Sequence, residues 1–274
     1  MDSQFASRGS SNGSRRCLVV LRAGDDSLHR AWIDAIAPDQ RLWDLHLSYY
    51  GASSDPLTGH PPDVTLSQEF GPSFVGLAQC FEKAPFRRPV ESYDWIWLPD
   101  DDLLTDQRTI DAFFSHVMKY DLKLAQPALH EDSHVAHLIT VRHTNSLLRF
   151  TNFVEVMCPC FSRRTLQLCL PYFRETKSSW GLDFLFPKLL GYPPRSIAVV
   201  DATPVIHTRA IRTGAHYERI RETGEEPYSE LSNLVARFDI SVRLKNNLAV
   251  VRPDGSITED LDGVVPVRVD SSMS

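Results

Sequence analysis

Residues Tyr93–Asp106 read YDWIWLPDDDLLTD, a run of aromatic and branched side chains over Trp95–Leu98 with three carboxylates just beyond its exit. An apolar run this short, without alternation, predicts a strand covered on both faces. The acids then stand where that strand leaves the sheet.

Working outward, the same pattern recurs on either side. Upstream, CLVVLR (17–22) predicts a buried strand, and DSLHRAWIDAIA (26–37) a helix with Leu28, Trp32, Ile33 and Ile36 on one face. LWDLHLSYY (42–50) predicts a strand and FVGLAQCFEKA (74–84) a helix. Downstream, TIDAFFSHVMKYD (109–121) predicts a helix and KLAQP (123–127) a short strand. Alternating strands and helices predict a mainly parallel sheet with helices on both faces. Further on, HLITVR and NFVEVMCPCF predict strands, residues 163–173 and GLDFLFPKLLG helices, and SIAVVDATPVIHT a strand pair. The rhythm is less regular there, which implies antiparallel or mixed strands. PYSELSNLVARFD then predicts an amphipathic helix, and LAVVRPDGSITED a hairpin turning at Pro-Asp-Gly. The chain divides into a disordered tail at 1–15, one α/β domain over 16–224, and a helix-and-hairpin extension at 225–274 packed on that domain.

The 274 residues are 42% hydrophobic, enough for a substantial core, and the formal charge of -6 offers nucleic acid no general attraction. Arg87-Arg88 and Arg163-Arg164 read as solvated surface. No apolar run approaches the roughly 20 residues of a membrane span, and the N-terminus lacks an apolar signal centre, so the expectation is a cytoplasmic protein. The five cysteines are odd in number and irregularly spaced, which suits buried thiols, and Cys158 and Cys160 read as packing rather than metal-binding residues.

In an extended chain Asp100 and Asp102 would project together and Asp101 away from them. Two carboxylates aimed at one point call for positive charge between them, and oxygen ligands suit Mg²⁺ or Mn²⁺. The competing reading is a helix cap, a role Asp106 could fill alone.

The Asp-x-Asp after an apolar strand, then VEVMCPCFSR (154–163), WGLD (180–183) and VVDATPVIHT (199–208), together resemble a large family of uncharacterised proteins with the GT-A fold of nucleotide-sugar-dependent glycosyltransferases. The resemblance extends from about Trp43 to Gly214 and takes in QPAL (126–129) and HLITVR (137–142). It implies a GT-A-like domain in which Asp100, Asp102 and His207 hold a divalent cation, with Asp102 the first choice for direct coordination. It places Asp100, Asp101, Arg22, Asp25 and Trp180 on the nucleotide-sugar, a UDP-sugar being the favoured donor. Asp183 would be the catalytic base of an inverting enzyme, and Glu155 would lie near the reacting sugars. Related proteins often carry a lysine in the segment matching GPSFVGL; here Ser73 and Phe74 stand, leaving Arg142 and Arg209 as candidate phosphate partners.

Each residue also has a plainer reading. His207 could be a structural histidine, Asp183 a helix-start acid favoured by the macrodipole, Glu155 a partner of Arg163, and Trp180 core. The expectation is thus a metal-dependent glycosyltransferase, of the kind used in polysaccharide biosynthesis, acting on a glycan or lipid-linked acceptor and making at most peripheral contact with a membrane. The alternatives are a non-catalytic nucleotide-sugar or cation binder and a metal-dependent phosphoester hydrolase.

Overall fold

A computed structural model describes residues 16–33, 40–210, 226–240 and 245–267. The tail read over 1–15, the first helix beyond Ile33 and the boundary at 224–225 lie outside the described residues.

The chain opens with β1 (Cys17–Ala23), a short helical segment α1 (Arg30–Ile33), β2 (Trp43–Tyr49), β3 (Thr65–Gln68) and α2 (Ser73–Lys83). The opening stretch supplies β4 (Trp95–Trp97), and β5 (Leu103–Leu104) follows the acids. Next come α3 (Gln107–Lys119), β6 (Leu124–Leu129), β7 (Leu148–Thr151), β8 (Cys160–Ser162), α4 (Arg163–Cys169) and α5 (Leu182–Leu189). The chain continues through β9 (Ile197–His207), α6 (Pro227–Arg237), β10 (Asn247–Val251) and β11 (Ile257–Thr258).

The strands form one mixed sheet in the order β11-β10-β7-β9-β6-β8-β4-β1-β2-β3, with β5 paired to the end of β9. Parallel pairing is narrower than the sequence predicts. β3, β2, β1 and β4 run parallel, as do β6 and β9, but β8 enters antiparallel to both β4 and β6. The helix-strand alternation behind the parallel reading lapses after β6, and β10 and β11 add antiparallel strands beyond β7.

Burial explains why the apolar runs become strands. Every residue of β1 and β2 is buried, and the sheet separates two apolar layers. Trp97 of β4 is 1% exposed and stacks on Trp32 at 5.7 Å. Burying one such side chain contributes about 2–3 kcal/mol, with about 1 kcal/mol more for the ring pair. Asp106 does cap α3, accepting from the Thr109 amide at 2.8 Å.

Three sequence expectations need correction. HLITVR is not a strand: residues 138–140 form a 3-10 turn, closed by Thr140, whose amide and hydroxyl both donate to the His137 carbonyl. NFVEVMCPCF is irregular until β8 at Cys160, because Thr151 Oγ1 and the Gln126 side chain take up the Phe153 and Glu155 amides. SIAVVDATPVIHT is one strand, not two. Its register against β6 shifts between Val200 and Val205, and Pro204, which lacks a ladder donor, falls in that interval.

The arginine pair 87–88 is not simply solvated either, since Arg88 donates to buried Asp44 and Arg87 approaches Asp63 at 3.2 Å. Among the described residues the most buried ion pair joins Arg149 of β7 to Asp201 of β9, both fully enclosed. Asp201 accepts two bonds from this guanidinium, one from the His143 amide and one from Ser146 Oγ. Arg149 also donates to the Ile139 and Val141 carbonyls and to Asn247 of β10. The knot ties three strands and the turn at 138–140 together. Among the described residues no helix is long and apolar enough to cross a membrane.

Candidate functional site

The acids follow the carboxyl end of β4, where ligands of open α/β sheets sit. Backbone bonds hold them there: the Asp100 amide donates to the Met157 carbonyl, and both the amide and hydroxyl of Thr208 donate to the Asp102 carbonyl. β5 pairs Leu103 with His207, so the end of β9 is brought against the acidic turn.

The chain at 101–102 is a turn rather than extended, yet the three side chains separate much as alternation would have it. Asp101 faces β1 and accepts from the Gly24 amide (2.7 Å), the Tyr50 hydroxyl (3.0 Å) and Arg209 (2.8 Å). Its oxygens are engaged by the protein itself, and so is Arg209, one of the two candidate phosphate cations.

Asp102 and Asp100 are treated differently. His207 Nε2 lies 3.3 Å from Asp102 Oδ2, while Asp102 Oδ1 is buried with no hydrogen-bond partner. Burial and the neighbouring Asp102 push the Asp100 carboxyl well above its ordinary range. His207 donates from Nδ1 to the His134 carbonyl at 2.8 Å, which aims Nε2 at the acids. Burial depresses this imidazole, but Asp102 outweighs it and the group rises to about 9. The proton on Nε2 sets positive charge beside Asp102.

A second group adjoins the first. Glu155 is buried, its Oε2 is unpartnered, and burial raises its carboxyl. Its carboxyl feels His137, Asp183, His207 and Lys245, and it in turn acts on Asp100. Arg163, its alternative partner, instead approaches Asp94. Asp183 is buried in the first turn of α5 with Oδ1 unpartnered and Oδ2 3.7 Å from His137 Nε2. Gly181 makes that placement possible: it holds φ +91°, and a Cβ there would meet Leu234 of α6 at 2.7 Å.

The remaining predicted residues have structural occupations. Arg22 donates to Ser48 and to the Glu69 and Gly71 carbonyls, and lies over the Tyr50 ring. Asp25 accepts from the Tyr49 hydroxyl and the Ala52 and Ser53 amides, which hold its carboxyl below its ordinary value. Trp180 is half-buried, edge-on to Tyr228 of α6 at 4.9 Å. Cys158 and Cys160 are enclosed free thiols, which burial pushes well above their ordinary value.

Among the described residues no three His, Cys, Asp or Glu side chains form a ready-made metal cage. The donor types nevertheless fit a hard divalent cation: carboxylate oxygens, one of them buried and unmatched, and an imidazole whose far nitrogen is anchored to a carbonyl. Sequence reasoning gave His137 and Lys245 no role. His137 lies inside a quoted motif, whereas no motif signals Lys245.

Residues 86–151 match the family described as "Protein of unknown function (DUF707)". The matched stretch runs from before β4 through the acidic turn to the end of β7. It contains Asp100, Asp102 and His137 and stops short of Glu155, Asp183 and His207. A search of curated proteins finds no match.

Proposed function

We propose that this chain is a metal-dependent glycosyltransferase that moves a sugar from a nucleotide-diphosphate donor, a UDP-sugar by preference, to a hydroxyl of a glycan or other acceptor, with inversion. The observation that carries the reading is a set of acids from three separate stretches, Asp102, Glu155 and Asp183, each buried with one oxygen that nothing donates to. A fold leaves buried acceptors unmatched at a cost of about 1–3 kcal/mol each, which points to a partner outside the chain.

Asp102, His207 and Asp100 would hold Mn²⁺ or Mg²⁺, whose charge offsets the negative charge gathering on a leaving diphosphate. Asp183 receives the proton of the attacking acceptor hydroxyl on its free Oδ1. Glu155 presents its unpartnered Oε2 to a sugar hydroxyl lying between the two groups.

Thermal unfolding with UDP and Mn²⁺ tests the first half. Ligand at about 100 times its dissociation constant adds roughly 2.7 kcal/mol to the wild type, and Asp102→Asn abolishes that gain. Asp183→Asn keeps the gain and loses UDP release from UDP-sugars. Normal metal-dependent stabilisation of Asp102→Asn defeats the metal assignment, and donor binding without turnover in the wild type favours a binding protein.

A further inference from the structure

The arm reaching Asp183 from the other end of the chain is the structure's least anticipated feature. Lys245 stands two residues before β10, and its neighbour Asn246 exchanges backbone and side-chain hydrogen bonds with Asn152, so the segment is tied beside β7. The ammonium lies 4.8 Å from the Phe153 ring centre and 5.3 Å from that of Phe184. These two rings lie 5.5 Å apart, and Phe184 is the residue after Asp183. Aromatic faces hold a cation in place by their quadrupoles.

From this seat Lys245 Nζ reaches His137 Nδ1 at 3.1 Å. An ammonium has only donors, so that nitrogen must present its lone pair, and the imidazole proton is left on Nε2. Nε2 is the atom 3.7 Å from Asp183 Oδ2. The ring is braced edge-on against Phe153 at 4.9 Å, and the His137 carbonyl is fixed by Thr140.

We infer that Lys245 and His137 are positioning residues for Asp183: Lys245 sets the imidazole tautomer, and the Nε2–H so fixed faces Asp183 Oδ2 across 3.7 Å, leaving Oδ1 for the acceptor. No proton leaves His137. As the acceptor oxygen bonds to the sugar carbon and the sugar–diphosphate bond breaks, the hydroxyl proton passes to Asp183 Oδ1 and the bonding pair leaves with the diphosphate. Orientation of Asp183 as a base rests on the glycosyltransferase reading, whereas the tautomer does not.

The experiment separates the two. Long-range proton–nitrogen spectra of ¹⁵N-histidine protein, with the His137 signals assigned through His137→Gln, report the tautomer directly. Wild type and Lys245→Arg show His137 with its proton on Nε2 and Nδ1 bare. Lys245→Met removes the donor that keeps Nδ1 an acceptor, so the Nε2–H form is no longer enforced and the Nδ1–H form gains population. A wild-type Nδ1–H tautomer, or an unchanged spectrum in Lys245→Met, overturns the inference. In turnover, Lys245→Met lowers kcat for UDP release from a UDP-sugar on the order of 10²-fold, leaves stabilisation by UDP and Mn²⁺ intact, and is restored in part by Lys245→Arg. If kcat is unchanged in Lys245→Met, the positioning role is wrong. If the wild type releases no UDP from any UDP-sugar, the transferase reading fails and the spectra alone decide the tautomer.

Discussion

Asp201 accepts four hydrogen bonds and is enclosed with its arginine, whereas Asp102, Glu155 and Asp183 are nearly as deeply buried and each retains an unmatched oxygen. The same fold therefore has the means to satisfy a buried acid, at Asp201 and at Asp101, and leaves Asp102, Glu155 and Asp183 incomplete. At Asp201 the charge serves cohesion, since both partners and the surrounding carbonyls close on each other. Around Asp102 the charge is left facing inward, which fits a region completed by something added.

The largest effect comes from breaking the satisfied pair. Arg149→Met strands Asp201 in the interior and costs about 3–5 kcal/mol in urea unfolding; a cost under about 1 kcal/mol would remove the contrast. Next is the pH response of the unmatched acids. His207 titrates near 6.5 unfolded and near 9 folded, so its contribution is whole below pH 6.5 and disappears as pH rises through about 9. Asp100, raised by burial and by Asp102, changes in the same direction as pH passes its own folded value. In chelator, wild-type stability falls by on the order of 2–3 kcal/mol across this window, and His207→Gln flattens the slope. A slope unaltered in His207→Gln would show that the pair is not the source. The smallest effect sharpens the comparison from the other side. Glu155→Gln, replacing a buried carboxyl whose Oε2 has no donor, raises stability by about 0.5–2 kcal/mol, while transfer falls. A loss of stability in Glu155→Gln would place Glu155 with Asp201, among the cohesive acids.

What the sequence disclosed follows from what forces each element. β1, β2 and β4 are enclosed on both sides, so their apolar runs admit little else, and α3 announces itself through Asp106 and its apolar stripe. β3, with the sequence TLSQ, was missed because it lies at the sheet edge and needs few apolar residues. HLITVR alternates like a strand, but Thr140 offers its backbone a local bond that pattern alone does not weigh. At the site, the acidic turn was legible because it follows an apolar run, whereas His207 was singled out only by the resemblance. The donors to Asp101 were not legible, since Gly24, Tyr50 and Arg209 lie far apart in the chain. Lys245 was invisible for the same reason, being defined by rings at 153 and 184.

β9 carries both kinds of acid chemistry on one strand, with Asp201 in the knot and His207 six positions later. At about 3.3 Å per residue the anchor and the imidazole are separated by no more than about 20 Å of strand. The strand thus behaves as a boom clamped at its root, whose tip inherits any play in the clamp. Loosening Ser146 or Asn247, which never approach the acidic turn in sequence, should broaden the aim of the imidazole and surface as weaker cation capture.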